Sequence, residues 1–402
     1  MSNNVRRGAF VAAALLAGTA GLAACGSSNN NSSSSGSGSG SANVTAACSL
    51  SNPPKSTAAS LPSGGAVSKA SGKVGVILPD TTSSTRYQLF DKPLLTKQLT
   101  AVGLTPDVQN AQGDKAKFAQ IASTMIGEGV KVLIIDSIDA ASGAGVEQQA
   151  KQAGIPVIDY DRVNGGGSAS YYVSFDNEDV GRLQAQTLVD CLDAQHVSNP
   201  NIIMMNGGTD TDHNAVLFKQ GAHEVLDPLQ QKGKLKIAAE ATVKGWNTAE
   251  APTDFNGALS SANNNVQGIV AANDDIANAV IGVLKERGLD GRVAITGQDS
   301  QVEGLQNVVT GKQSMTIFKN ISIEAQATAQ LAAALANGTN PSKAGLKLSP
   351  LDDGTGRKIQ ALLLPPEVIT QANVEDVVKA KALTAAEICK GITSDCQKLG
   401  VK

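Results

Sequence analysis

Residues 157–164 read V-I-D-Y-D-R-V-N, a short apolar run ending in two aspartates, a tyrosine and an arginine. A Gly165-Gly166-Gly167 turn follows. Carboxylates and a cation at the end of a buried strand suit two chemistries: acid–base catalysis, or a grip on a polar ligand. The adjacency of Asp161 and Arg162 favours the grip, because a guanidinium lowers a neighbouring carboxyl's pKa and spoils it as a general acid. Asp159 lies one step back in the run, and a structural role is expected for it.

Polar groups just after an apolar run recur along the chain. Asp80 and Arg86-Tyr87 follow residues 74–78, Asp136 follows 132–135, and Asn206 to Asn214 follow 201–205. Lys244 to Asn247 follow 235–243, Asn273-Asp274-Asp275 follow 269–271, and Gln298-Asp299 follow 293–295. About half are expected to be helix N-caps, the ordinary use of Asp and Asn there. Capping leaves Arg86, Arg162, Trp246 and Lys319 unexplained. A small neutral polyol would use them. An unpaired buried hydroxyl costs about 1–3 kcal/mol, so such a ligand needs many oriented partners. Asp and Asn offer planar acceptors and donors, Arg a fixed fork, and an aromatic ring covers the C–H face. The candidate set is Arg86, Tyr87, Asp161, Arg162, Asn214, Trp246, Asn273, Asp299 and Lys319; Trp246 is the chain's single tryptophan.

The elements that position these residues follow from the periodicity. Strands are predicted at 74–78, 132–135, 156–158, 171–175, 201–205, 235–243, 269–271 and 293–295. Helices are predicted at 86–102, 139–153, 177–195, 213–231, 248–263 and 275–287. This alternation, with strands apolar on both faces, predicts an α/β protein with parallel sheets covered by helices. About 330 residues beyond the N-terminal region exceed what one core usually serves, so two doubly wound lobes are expected. Ligands in that architecture bind outside the carboxyl ends of the strands.

The N-terminus predicts export. Arg6 and Arg7 precede an apolar run, and Leu22-Ala23-Ala24-Cys25 resembles a lipobox in which Cys25 takes the lipid. The Ser/Asn/Gly tract from 26 to 43 reads as a flexible tether of roughly 25 Å. With 33 Lys plus Arg against 36 Asp plus Glu, scattered along the chain, nothing suggests nucleic acid. Cys48, Cys191, Cys389 and Cys396 remain for disulfides in an oxidising compartment. Cys389–Cys396 is the natural short pair and leaves Cys48–Cys191, although four cysteines allow three connectivities. No C-x-x-C pair and no histidine cluster suggests a metal, and no cofactor is expected.

The phrases V-I-D-Y-D-R, Y-V-S-F-D-N-E, H-N-A-V-L-F, K-G-W-N, A-A-N-D-D, A-I-T-G-Q-D-S and S-M-T-I-F-K-N-I, in this order, resemble the periplasmic sugar-binding proteins of bacterial ABC transporters. The resemblance runs from about Lys73 to Thr370. It implies two hinged Rossmann-like lobes joined by three crossings, near Phe175–Asp176, Gln298–Asp299 and Asn337-Gly338. The organisation expected is a signal peptide over 1–25, a disordered linker over 26–72, a first lobe of 73–175 and 300–338, and a second of 176–299 and 339–402. It further implies a monomer that takes a monosaccharide in its cleft, D-xylose in the branch whose phrases match best. The partners implied are an ABC permease with its ATPase, and the membrane through Cys25. Matched by phrase, the ligand contacts fall on Arg86, Asp161, Arg162, Asn214, Trp246, Asn273, Asp299 and Lys319, while Tyr87 stands where that branch carries a tryptophan.

Three other readings compete. A glycosidase would need a carboxylate pair across a cleft, but no G-x-S-x-G, H-E-x-x-H or P-loop is present, and Ser142-Gly143-Ala144-Gly145 lacks the rest of a dinucleotide fingerprint. A sensor presenting bound sugar to a membrane receptor would share the fold. So would a repressor's effector domain, which the export signal argues against.

Overall fold

The structure, a computed structural model, describes residues 44–58 and 69–402; the expected signal peptide, Cys25 and linker residues 26–43 and 59–68 lie outside the described residues. The first strands are β1 (Lys73–Leu78), β2 (Thr105–Asn110), β3 (Val132–Ile135), β4 (Val157–Tyr160) and β5 (Tyr171–Phe175), all but β2 formed on apolar, β-branched or aromatic runs. They continue with β6 (Asn201–Asn206), β7 (Lys236–Thr242), β8 (Gly268–Ala271), β9 (Ala294–Ile295) and β10 (Thr316–Phe318). The last are β11 (Ser349–Asp352), β12 (Lys358–Leu364) and β13 (Glu367–Ile369). One sheet has the order β11-β12-β5-β4-β3-β1-β2, parallel except for β11. The second, β7-β6-β8-β9, is parallel throughout. The first sheet is covered on both faces: Val74, Val76 and Leu78 join one apolar cluster, and the intervening Ile77 joins the other. The fold is thus α/β with two Rossmann-like lobes.

The crossings fall partly elsewhere than expected. The chain passes to the second lobe at Phe175–Asp176, where Asp176 N donates to Leu364 O at 3.0 Å. Residues 300–318 stay in the second lobe, where helix Val302–Val309 and β10 join its apolar cluster with Phe318 and Ile369. The return comes after Phe318, into helix Ile321–Ala336, whose alanines pack beneath the first sheet. Residues 339–364 also belong to the first lobe, because β12 pairs in parallel with β5 and β11 closes its edge. Pro350 obscures β11 in the sequence, and an edge strand tolerates a proline because one side of its ladder needs no donor. Pro365-Pro366, unable to donate, end the pairing and mark the last crossing into β13.

The linker expected to be disordered to residue 72 is instead packed where it is described. Ala46 N donates to Gly291 O at 3.0 Å, Val44 is buried against Leu188 and Leu192, and Thr57 N donates to Asp179 at 3.0 Å. Cys48 is bonded to Cys191 in helix Asn177–Ala194, and Cys389 to Cys396 in the C-terminal tail. Helix Asn177–Ala194 in turn touches helix His213–Gln231 backbone to backbone: a Cβ on Gly181 would collide with Phe218 O, and one on Gly221 with Glu178 O. Only glycine at both points lets the second helix sit close enough to aim its first turns at the interlobe cleft. Among the described residues no helix is long and apolar enough to cross a membrane.

Cys191→Ser opens a loop of 143 residues, so it is expected to lower unfolding stability by about 2–4 kcal/mol. Denaturant melts with and without reductant check this: reductant should have little effect on the variant beyond that of breaking Cys389–Cys396.

Candidate functional site

The nine candidate residues converge on one cavity between the lobes. Arg86 and Tyr87 enter after β1, on a turn held by Asp80, whose carboxylate accepts from Thr82 N at 2.8 Å and Ser83 N at 2.7 Å. Asp161 and Arg162 follow β4; Asn214 opens helix His213–Gln231 after β6; Trp246 sits on a single 3-10 turn after β7. Asn273 caps helix Asp274–Glu286 through Oδ1, bonded to Ile276 N at 2.9 Å, which leaves its amide nitrogen for the cavity. Asp299 follows β9 and Lys319 follows β10.

Ser83, Ser84, Asp212, Phe218 and Gln298 also line the cavity. Phe218 was legible in principle, since it lies one helical turn after Asn214 and shares its face. Asp212 reads as an N-cap and is one, accepting from Asn214 N at 2.9 Å, but its other oxygen accepts from the Trp246 indole N–H at 3.1 Å. Asp159 stays outside the cavity wall. It is buried and accepts from Asn164 N and Nδ2, each at 2.9 Å, which fixes the glycine turn after β4.

The cavity's charges hold one another. Arg86 donates to both oxygens of Asp91 (3.0 and 2.7 Å), to Glu324 (2.7 Å) and to Asp161 (2.9 Å). It is therefore mainly a brace, with little donor capacity left for a ligand. Tyr87 Oη donates to the other oxygen of Asp161 at 2.9 Å. Lys319 lies 3.1 Å from Asp299 and 3.9 Å from Asp161. Arg162 donates to Ser83 Oγ at 3.0 Å and to Ser137 O at 3.2 Å, and its Nε stands between Asp136 (3.8 Å) and Asp212 (3.6 Å). Burial pushes the Asp161 carboxyl up, but Arg86, Lys319, Arg162 and the Tyr87 hydroxyl bring it down to about 2. Glu324 goes the other way: burial, with Asp161 and Asp91 nearby, outweighs Arg86 and raises it to about 8. An Asp161 that stays ionised is an acceptor, never a proton donor, at neutral pH.

Aromatic rings supply the apolar walls. Trp246 and Phe218 meet edge to face, 6.3 Å between centroids, and Tyr87 faces them from the first lobe beneath the Arg86 and Arg162 guanidiniums. Trp246 rests on Gly207-Gly208, where a Cβ on Gly207 would run into the indole ring. Three cavity residues hold left-handed backbone, Asp161 (φ 58°), Trp246 (φ 58°) and Asp299 (φ 90°). For a bulky Trp this is a strained geometry, of the kind that clusters at ligand clamps.

Two doubly wound lobes with a charge-balanced, aromatic-walled cavity at their interface define a solute-binding protein. The chain belongs to the periplasmic binding protein domain family, which matches residues 74–340 and whose members bind solutes without transforming them. It is 35% identical over 306 residues to the D-xylose-binding periplasmic protein of Escherichia coli, covering 76% of this chain and 89% of that one. It is 32% identical to a multiple sugar-binding periplasmic receptor of Rhizobium radiobacter, with the same shares covered. Among solved structures, a carbohydrate transporter solute binding protein from Chloroflexus aurantiacus in complex with D-glucose superposes with a TM-score of 0.69, at 25% identity, over 79% of this chain and 98% of that one.

Gly207→Ala is expected to displace the indole toward solvent and red-shift the emission of the lone tryptophan; an unchanged spectrum would contradict the packing described. Glu324 predicts a pH effect of defined sign. Its folded pKa of about 8 exceeds its ordinary 4.5, so the stability it contributes is complete below pH 4.5 and is lost as pH rises through about 8. Compared with Glu324→Gln, the wild type should lose melting temperature steadily between pH 5 and 9; parallel curves would remove the assignment.

Proposed function

We propose that this cavity captures one monosaccharide, D-xylose before other pentoses and hexoses, by closure of the two lobes. In this reading the chain acts as a monomer outside the cytoplasmic membrane, held there by a lipid on Cys25. It hands the sugar to an ABC permease served by its ATPase. The observation that carries the reading is the cavity's composition. Planar acceptors and donors enter from both lobes, so hydroxyls around a sugar's edge find partners in each. Trp246, Phe218 and Tyr87 suit its C–H faces. The paired charges leave the site near neutral, as an uncharged ligand requires. The sugar would bridge lobes, and the closed form, which binds it better, would be what the permease recognises. The two relatives named for D-xylose and for multiple sugars support the class and frame the choice of sugar. That the second is named a receptor favours one further reading, in which bound sugar is also presented to a membrane sensor.

Calorimetric titration against xylose, ribose, arabinose, glucose and galactose tests the proposal, with xylose expected to bind tightest. Preference for another sugar would correct the ligand, and silence toward all five would overturn the sugar reading. Asp299→Ala and Arg162→Ala each strand buried partners and should weaken binding at least about tenfold. Aryl-glycosides should show no turnover. Cys25→Ser should release the protein into the medium.

A further inference from the structure

Tyr172 stands outside the cavity wall yet touches both lobes. It lies on β5, fully buried, with its hydroxyl 2.8 Å from the carbonyl oxygen of Asp161 and 2.9 Å from Asn214 Oδ1. The same hydroxyl accepts from Asn177 Nδ2 at 3.0 Å, and Asn214 Nδ2 donates to the same Asp161 carbonyl at 2.7 Å. Asp161 belongs to the first lobe; Asn177 and Asn214 open helices of the second. Of the other polar contacts across the cleft, Ser84 to Asp299 (3.4 Å) and Arg162 to Asp212 (3.6 Å) join cavity-lining side chains that a ligand would compete for, and Thr85 Oγ1 donates to Gln301 Oε1 at 3.0 Å outside the cavity wall. The Tyr172 cluster joins a backbone carbonyl and a hydroxyl behind the cavity to one cavity-lining side chain, Asn214. Burial, with Asp161, Asp212 and Glu324 nearby, holds the phenol well above its ordinary range, so it keeps its proton and remains a donor.

We propose that Tyr172 is a positioning residue for closure, its hydroxyl latching Asn214 of the second lobe to the Asp161 carbonyl of the first without the ligand's help. The inference rests on the reading of the cavity as a sugar site closed by lobe motion. A latch of this kind raises the fraction of molecules already closed, and apparent affinity scales with that fraction. It also has to break before the ligand can leave, so its effect falls mainly on dissociation. By holding Asn214, whose amide nitrogen donates to the Asp161 carbonyl, it further supports the left-handed backbone that aims the Asp161 carboxylate at Arg86 and Tyr87.

The test compares wild type with Tyr172→Phe and Asn177→Ala. Small-angle X-ray scattering of the ligand-free proteins reads lobe opening, and stopped-flow emission of Trp246 with D-xylose reads the rates. Tyr172→Phe should enlarge the ligand-free radius of gyration, leave the xylose-saturated radius unchanged, and speed dissociation about tenfold with association within about twofold. Asn177→Ala should move both readouts the same way by less, and it carries the test if Tyr172→Phe does not fold. A lower melting temperature with unchanged radius and unchanged dissociation would assign Tyr172 a purely structural role and overturn the proposal. The scattering needs no sugar: if xylose fails to bind, the functional reading falls, while an altered ligand-free radius still supports the latch.

Discussion

The cavity depends on the buried ion pair between Arg86 and Asp161. Taking two charges out of water costs several kcal/mol per ion, and attraction within the pair repays this only when the remaining donors and acceptors are also satisfied. Arg86 obtains that from Asp91 and Glu324, and Asp161 from Tyr87 and the more distant Lys319. Those partners come from the turn after β1, helix Ile321–Ala336 and the crossing after β10. None of these segments can shift without stranding a charge, so the pair ties the first lobe's core to the segment through which the lobes are joined. This explains why Arg86, which the sequence suggests as a ligand contact, acts largely as the brace for Asp161.

Around that brace the backbone is bent to unusual angles. Asp161, Trp246, Asp299 and Ser300 all hold positive φ, and only the first and third are residue types that tolerate it readily. Each costs of order 1–3 kcal/mol and persists only where its surroundings over-determine it. They do here. Asp161 N donates to Val173 O and its carbonyl accepts from Asn214; Trp246 is held by its indole bond to Asp212 and by the glycine floor; Asp299 N donates to Ile317 O. The strained residues turn side chains inward at strand ends where a relaxed chain would simply begin a helix.

Much of this was legible in the sequence because strands and caps are local. The apolar runs became strands close to where periodicity puts them, and the polar residues after them stand where a parallel sheet delivers its ligands. What escaped was non-local. β2 carries Pro106 and Asp107, and β11 carries Pro350, residues that argue against a strand unless the strand is known to be an edge. Without β11 and β12 the return of the chain to the first lobe could not be placed, and the crossings drifted. Glu324 and Asp91 look like ordinary helix-surface acids until the fold buries them against Arg86. Tyr172 looks like a core aromatic, and only the approach of the second lobe gives its hydroxyl a role.

The V-I-D-Y-D-R segment shows how the two readings of its acids are separated by surroundings rather than by residue type. A general acid needs a carboxyl whose pKa is raised toward neutrality and which faces the substrate. The raised carboxyl of Glu324 lies behind Arg86 and outside the cavity wall, while of the carboxyls that line the cavity Asp161 is held at about 2 by three cations, and Asp212, which burial raises, is committed to Asn214 N and the Trp246 indole N–H. Asp159, buried beside Glu147, holds a turn. The carboxyls of Asp161 and Asp212 therefore act as fixed hydrogen-bond acceptors, Asp161 because it stays ionised and Asp212 because both its oxygens already accept. The lining cations Arg86, Arg162 and Lys319 are matched by as many lining carboxyl residues, Asp161, Asp212 and Asp299, and the rings of Trp246, Phe218 and Tyr87 make up the apolar part of the wall.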